Sequence, residues 1–388
     1  MGSIKDKTAI VGIGATPYYK RGESLPQTAL ELVGKAVLAA VEDAGLTIRD
    51  VDGFAYYAGG FDTAGLAQML GVPEVRFTAM TTGGGGGSTA GVGLASSAIV
   101  AGQASVVVCI GGMQQAVQRY GSIIAAKAPT PDNIFFQNAG FVGPGHMFSL
   151  LARRHMHLYG TTRDHFYEIV ASSRLNGMNR DTARFHKPLT REEYFAAPLL
   201  ADPLCRYDFC LENDAIVAAV VVSAERARDL RHKPVYVSAA AHGGDGQWGR
   251  AITWMNMPDD IFASSGHRPI ARRVYEMAGV GPQDIDVAML YDHFSPMVIM
   301  QLEDYGFCGI GEGGPFVESG NIRFKGGSIP VNPHGGQLSE AYAVGMTHIR
   351  EAVEQLRGTA VNQVKDASLA LVTGGPASLP VSSIILRN

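Results

Sequence analysis

An α/β fold of alternating helix and sheet layers, built from a duplicated βαβ-rich unit, is predicted by three observations. The block Ala44-Gly45-Leu46 to Asp50-Val51-Asp52 recurs, at one constant offset, as Ala278-Gly279-Val280 to Asp284-Ile285-Asp286. Each copy ends a helix, turns, and enters a strand finishing in a tyrosine, Tyr57 or Tyr291. Second, ASVVVCIGG from Ala104 is matched by ASLALVTGG from Ala367, and a glycine loop precedes each (Gly83–Gly87, Gly335-Gly336). Third, Ala104–Gly112 and Asp214–Ser223 are unbroken apolar runs, as strands buried on both faces require. Matched pairs in the same order argue for duplication. Such units form a mainly parallel sheet with right-handed crossovers, and two of them enclose a helix layer. Ligands then sit at the carboxyl ends of the strands.

Taken in order, Thr8–Gly12 is a short buried strand. Gly12-x-Gly14 follows it, but Pro17 and the missing third glycine argue against a dinucleotide fingerprint. Leu25–Ala44 reads as a helix capped by Ser24, with Ala29, Leu32, Val33, Ala36, Val37, Ala40 and Val41 at helical spacing and Gly45 as its stop. Asp52–Tyr57 is a strand. Thr81–Ser88 is a glycine loop feeding a small-residue helix, Thr89–Ala101. A helix running from His146 carries Arg153, Arg154, His155 and His157, a basic cluster read as a solvated face, and Arg163–Arg174 is a second helix. Asp214–Ser223 and Pro234–Ala241 are neighbouring strands. Helix Arg268–Met277, strand Ile285–Leu290 and helix Ser295–Gly306 follow. A long glycine-rich loop, Cys308–Gly327, leads to the helix Ala341–Arg357, and Ala367–Gly375 and Val381–Arg387 are the last strands. The organisation expected is a first half over 1–112, an inserted cap region over 113–213, and completion of the first half plus the second half over 214–388.

Composition narrows the function. Hydrophobic residues make up 46%, enough for a large core, while charged residues at 18% fall below the usual quarter and suggest a buried subunit interface. The net charge is −4 with no Lys/Arg run, so nucleic acid is not an expected partner. No apolar run reaches about 18 residues, so no membrane span is expected. Met1–Lys7 leads straight into a strand without a signal-peptide pattern. Cys109, Cys205, Cys210 and Cys308 are scattered, with neither zinc-type spacing nor a disulfide framework. A soluble, cytoplasmic protein with no metal site is the expectation.

The stretch Val331–His348, VNPHGGQLSEAYAVGMTH, holds a His-Gly-Gly turn ahead of Glu340, Tyr342 and His348. Glycines let a substrate approach the backbone, and a helix N-terminus offers N–H groups to a carbonyl or anion. The duplication places Gly83–Gly87, Tyr291–Phe294, His334–Tyr342 and Gly374-Gly375 toward one end of the strands.

With these blocks in view, the chain resembles the thiolase superfamily over nearly its whole length. It is most similar to the branch of sterol-carrier-protein thiolases and steroid side-chain-cleaving aldolases. ARRHMHLYG (Ala152–Gly160), ERARDL (Glu225–Leu230) and HIREAVEQLRG (His348–Gly358) carry the same likeness. The layered α-β-α-β-α architecture is what this resemblance implies. The departures decide the chemistry. The place of the thiolase nucleophilic cysteine falls at about Gly85, inside TTGGGGGSTAG, which holds no cysteine. The Gly-His-Pro histidine is replaced within Ala341-Tyr342-Ala343, and the second catalytic cysteine falls at about Val372. Tyr291-Asp292-His293-Phe294 stands for the Asn-Glu-Ala-Phe block.

Without a soft nucleophile the acyl-enzyme route is closed. The resemblance implies instead a retro-aldol cleavage of a β-hydroxyacyl-CoA thioester, giving a ketone or aldehyde and a shortened acyl-CoA. Tyr291 and Tyr342 are the expected acid–base pair, either of them serving as the base, with His293 relaying a proton or orienting Tyr291. Gly85, Gly86, His334, Gly335 and Gly375 are the expected substrate-binding positions, their N–H groups or the His334 turn facing an enolate oxygen. A free tyrosine titrates near 10, so a base role needs a cation or His293 beside it. No resident cofactor is needed, since CoA enters with the substrate. The resemblance also implies a homodimer and a small OB-fold/zinc-ribbon partner. Two rival readings are an acyltransferase with another nucleophile such as Ser88, and a non-catalytic acyl-CoA-binding subunit of a complex.

Overall fold

The computed structural model describes residues 4–57, 62–81, 84–116, 134–141, 143–246, 262–377 and 380–388. Gly83 of the first glycine loop, and residues 117–133 and 142 of the expected cap region, lie outside them. The strands are β1 Thr8–Ala15, β2 Tyr19–Lys20, β3 Gly53–Tyr57, β4 Phe77–Thr81, β5 Val106–Gln114, β6 Leu199–Ala201, β7 Leu204–Cys205, β8 Asn213–Ser223, β9 Val235–Gly243, β10 Val287–Met289, β11 Leu369–Gly374 and β12 Val381–Arg387. The helices are α1 Ala29–Asp43, α2 Thr63–Leu70, α3 Gly87–Val100, α4 Ile134–Asn138, α5 Pro144–Tyr159, α6 Arg163–Gly177, α7 Arg191–Ala196, α8 Ala224–Ala227, α9 Arg268–Ala278, α10 Ser295–Asp304, α11 Gly313–Glu318, α12 Gly336–Ser339 and α13 Met346–Arg357.

Apart from the β6–β7 hairpin, the strands run in the order β10-β11-β12-β9-β1-β8-β5-β3-β4, with β2 on β8. This order is symmetric about the β1–β9 seam, so that β3, β5, β8 and β1 answer to β10, β11, β12 and β9. The seam itself is short: Ala9 pairs with Tyr236 and Ile10 with Val235. Two sheets thus meet along one narrow edge. The duplication read from the sequence is present in space. Gly45 and Gly279, the paired helix stops, share a left-handed φ of +72° and +71°.

Period-two alternation builds the layers. Val106, Val108 and Ile110 of β5 pack outward with Leu32, Val33, Ala36 and Val37 of α1. Val107 and Cys109 of the same strand point inward, into a core shared with Val92 and Ala95 of α3 and Ile349, Ala352 and Val353 of α13. That inner core also takes Val237, Val372 and Ile384 from the second sheet, so α3 and α13 lie between the two sheets. The far face of the second sheet is covered by α9 and α10, with α5 and α6 in the same cluster. The order is α-β-α-β-α.

Several boundaries differ from the sequence reading. The sheet is mixed: β3–β4, β3–β5 and β10–β11 are parallel, whereas β1–β8, β5–β8, β1–β9, β9–β12 and β11–β12 are antiparallel. Unbroken apolar runs report burial on both faces, and helices on both sides bury either strand direction. Helix α1 starts four residues later than expected, because Thr28 and Glu31 form its capping box while Ser24 Oγ donates to Asp214 at 2.7 Å. Elements β4, α2 and α11 are additional. The largest correction falls in the stretch around Tyr342. The expected helix Ala341–Arg357 begins only at Met346, since Val344 (φ +46°) and Gly345 (φ +87°) are left-handed and break it.

Candidate active site

The carboxyl end of β10 delivers Tyr291. Its N–H donates to Thr373 Oγ1 at 2.9 Å, and its carbonyl accepts from Gln301 Nε2 at 2.9 Å. The irregular segment between α12 and α13 delivers Tyr342. There Asn213, at the start of β8, holds both backbone groups: Tyr342 N–H donates to Oδ1 at 2.7 Å and the carbonyl accepts from Nδ2 at 3.3 Å. Both tyrosines are 1% exposed, and the Tyr291 hydroxyl donates to the Tyr342 hydroxyl at 3.4 Å. Two sequence-distant phenols thus share one site.

Gly85 explains why the Tyr291 ring can lie where it does. A Cβ built on Gly85 falls on the Cζ and Oη of Tyr291. Gly345 also lies against the ring: its added Cβ would come within 2.9 Å of Tyr291 Cε2 and 2.8 Å of Ser88 Oγ. Gly85 and Gly86 lie in the 3-10 turn before α3, so the N-terminal end of a 14-residue helix faces this group. Gly375 packs directly on Gly86. The structure therefore gathers Gly85, Gly86 and Gly375 around Tyr291.

His334 and Gly335 lie behind this group. Gly335 rests on Gly177 of α6, its added Cβ 2.8 Å from that Cα, and its carbonyl accepts from Ser173. His334 is fully buried, edge-on to His348 at 4.9 Å. Neither of its ring nitrogens has a hydrogen-bond partner among the described residues. Burial holds the imidazole pKa well below its ordinary value. His348 stacks on Tyr291 at 6.2 Å, and its Nε2 donates to the Leu290 carbonyl at 3.0 Å and lies 3.2 Å from Asp292 Oδ1. Asp292 caps α12, accepting from the N–H groups of Gln337 at 2.9 Å and Leu338 at 3.3 Å.

A cavity of about 340 Å³ opens on the tyrosine pair. Tyr342, His293, Cys210, Phe209 and Leu200 are among its walls, and Tyr291 lies behind Tyr342 rather than in the wall. His293 is packed edge-on against Phe148 at 4.3 Å and Tyr291 at 5.2 Å. Its Nδ1 has no partner among the described residues, and burial lowers its pKa to about 3. The ring is therefore neutral at physiological pH and supplies no cation to a neighbouring phenol. Burial also raises the Cys210 thiol well above the ordinary range. Cys109 is buried in mid-strand and Cys308 is half-buried in a loop. The His155 expected on a solvated face is instead buried, with Nε2 3.1 Å from both Glu303 oxygens.

Sequence reasoning missed Asn213, Gln301 and Thr373. Each is a buried polar residue beside or inside an apolar run, which is the one signal that marks a backbone clamp in advance.

Two α/β halves with a helix layer between them, and a site at the strand ends, define a thiolase-like core. Residues 245–387 match the family described as Thiolase C-terminal domain-like. The chain is 38% identical to 17-hydroxy-3-oxo-4-pregnene-20-carboxyl-CoA lyase of Mycobacterium tuberculosis, over 99% of this chain and 100% of that one. It is 36% identical to the steroid side-chain-cleaving aldolase of Thermomonospora curvata, over 100% and 99%. Among solved structures, the Ltp2-ChsH2(DUF35) aldolase superposes with a TM-score of 0.91 at 35% identity, covering 100% of this chain and 99% of that one. The chain belongs to the thiolase superfamily, in its branch of steroid side-chain-cleaving aldolases. Among the described residues no helix is long and apolar enough to cross a membrane.

Proposed function

We propose that the protein cleaves a β-hydroxyacyl-CoA thioester by a retro-aldol reaction, releasing a ketone or aldehyde and a shortened acyl-CoA. The observation that carries this reading is the tyrosine pair, hydroxyls 3.4 Å apart, with one ring seated against Gly85 in the region where thiolases place their cysteine. The two relatives named as a lyase and an aldolase support it. A steroid side chain is the favoured acyl group for the same reason.

Tyr342, in the cavity wall, takes the β-hydroxyl proton in its ionised form, which, with His293 neutral, the positive N-terminal end of α3 beside the tyrosine pair favours. The C–O bond becomes a carbonyl as the Cα–Cβ bond breaks, and its electron pair passes into the thioester enolate. N–H groups at the start of α3 stabilise the enolate oxygen. The tyrosine pair then returns a proton to the α-carbon, the contact with Tyr291 letting the two hydroxyls exchange it. No net proton, electron or free CoA is consumed. His293 orients the pair as a neutral ring. The step calls for no resident cofactor, CoA arriving as part of the substrate. A homodimer, a DUF35-type partner as in the Ltp2-ChsH2(DUF35) aldolase, and a cytoplasmic setting with four free thiols complete the reading.

The test is incubation of the purified chain, with and without such a partner, with a panel of β-hydroxyacyl-CoAs, read by mass spectrometry. A carbonyl product plus shortened acyl-CoA, with no free CoA added, is expected. Cleavage that requires free CoA would mean thiolysis and an acyltransferase. Tight binding without turnover under all conditions would mean a non-catalytic acyl-CoA-binding subunit.

A further inference from the structure

Tyr342 stands on a stretch, residues 340–345, that is neither helix nor strand. Its place is therefore set by contacts from outside. One segment of the expected cap region, α6 and the turn after it, meets the approach to Tyr342 repeatedly. Ser173 donates to the Gly335 carbonyl, and Asn176 Nδ2 donates to the carbonyls of Val331 and Asn332 at 3.2 and 3.1 Å. The Arg184 N–H lies 3.0 and 3.1 Å from the carbonyls of Ser339 and Glu340.

Arg180 is at the centre of this contact. It is buried, and three of its nitrogens reach three carboxylates. Nε donates to Glu340 Oε1 at 2.8 Å, Nη1 to Glu351 Oε2 at 2.6 Å and Nη2 to Glu354 Oε2 at 3.1 Å. Thr182 Oγ1 donates to the same Glu340 oxygen at 2.8 Å. Glu340 ends α12, which precedes Tyr342, whereas Glu351 and Glu354 belong to α13, which follows it. One guanidinium thus bridges the two sides of the Tyr342 turn. Burying such a cluster gains little stability over apolar packing. What it fixes is spacing, because a planar fork sets the distances among its partners and an ammonium on a flexible stem does not. Arg180 is not one of the walls of the cavity that Tyr342 lines, so it acts on the chemistry through Glu340 alone.

We propose that Arg180 is a positioning residue for the reaction: it clamps Glu340 to Glu351 and Glu354, and so holds the Tyr342 hydroxyl within reach of Tyr291. The end of α6 and the turn after it then serve as a brace that sets the geometry of the acid–base pair. The proposal rests on the retro-aldol reading and deepens it.

Steady-state kinetics and fluorine NMR on the full-length chain test this. Arg180→Lys keeps the charge but cannot span the three carboxylates. Its kcat should fall by about 10²-fold, the cost of a misplacement of about 1 Å, with KM within about twofold of the native value. Thr182→Val removes the second donor to Glu340 without touching a charge, and should lower kcat by about fivefold, again at unchanged KM. In chains labelled with 3-fluorotyrosine, the resonance missing from Tyr342→Phe reports the position of that ring without any turnover. It should be displaced in Arg180→Lys and, by less, in Thr182→Val, while the other tyrosine resonances stay in place. Native kcat and an unmoved Tyr342 resonance in Arg180→Lys overturn the proposal. If Arg180→Lys instead shifts every tyrosine resonance, the fold has been lost and Thr182→Val decides: native kcat there overturns the proposal, and a selective loss sustains it. If the native chain cleaves no β-hydroxyacyl-CoA yet the Tyr342 resonance moves selectively, the reaction falls and the brace stands. Cleavage that Arg180→Lys leaves untouched gives the reverse.

Discussion

At the scale of single residues, the tyrosine pair makes the sharpest demand. Tyr342 is clamped by Asn213 and Tyr291 by Thr373 and Gln301, so replacing either phenol by phenylalanine removes a hydroxyl without freeing the backbone. Turnover should fall by about 10²-fold or more in Tyr342→Phe and Tyr291→Phe, the usual weight of a positioned acid or base. The thermal transition should shift by no more than about 1 kcal/mol of stability, the worth of one hydrogen bond. Full activity in both variants would remove the pair from the chemistry. His293 makes a different demand. An unfolded histidine titrates near 6.5, whereas this one is held at about 3 in the fold. The unfolded chain therefore binds the extra proton first, and stability is lost as pH falls below 6.5. The variant His293→Phe cannot lose it. Its advantage over the native chain should grow by about 2 kcal/mol between pH 7 and pH 5, read from urea midpoints. A constant difference across that range would show that the ring is not held neutral by burial. The variant should also lose activity, because a buried nitrogen left unpartnered in a cavity wall is kept at a cost to stability.

Among elements, how each segment ends matters more than how it runs. The long strands and the α1 helix were legible from apolar patterning, and the correspondence of β3 with β10 from the repeated block, whereas the short strands β2, β6 and β7 and the edge strand β4 were not. The position of Tyr342 was not. The sequence from Ala341 onward has helical spacing, but Val344 and Gly345 adopt left-handed conformations that only tertiary contacts select. Gly345 is needed there because the Tyr291 ring and Ser88 leave no room for a side chain. Asp292 was legible as part of a site block but not as a cap. It binds two N–H groups of α12 and lies 3.2 Å from His348 Nε2, so it fixes the turn that precedes Tyr342. Asp292→Ala would leave those N–H groups buried and unpaired. It should cost about 2–4 kcal/mol, more than Asp292→Asn, because hydrogen bonds to a charged group are the stronger kind. Equal denaturation midpoints for the alanine variant and the native chain would mean that α12 is held elsewhere. Gly85 joins the two scales. A methyl there displaces the Tyr291 ring, so Gly85→Ala should lose activity as completely as Tyr291→Phe. The two changes combined should be far from additive.

For the whole molecule, the two sheets differ in how their outer edges finish. The β10 edge is covered, since Ala288 bridges to Val331 beyond it. The β4 edge is open: β4 pairs with β3 alone among the described residues. Met80 on that strand is 58% exposed, and Val75 and Met69 nearby add further exposed apolar surface. An open edge strand with apolar side chains and no lysine on it is a template for pairing with another chain. That fits the low charge fraction, which asks for surface to be buried between subunits. A homodimer formed across β4 is the expected arrangement, and sedimentation should give about twice the 41.1 kDa of one chain. Met80→Lys places a charge on the edge and should shift the native chain toward the monomer, with the fold of each half intact by circular dichroism. Because β4 runs into the glycine turn that supports Tyr291, the monomer should also be less active per chain, and concentrating it should restore turnover. A native chain that sediments as a monomer at every concentration would refute pairing through β4. A dimer indifferent to Met80→Lys would move the interface to another face.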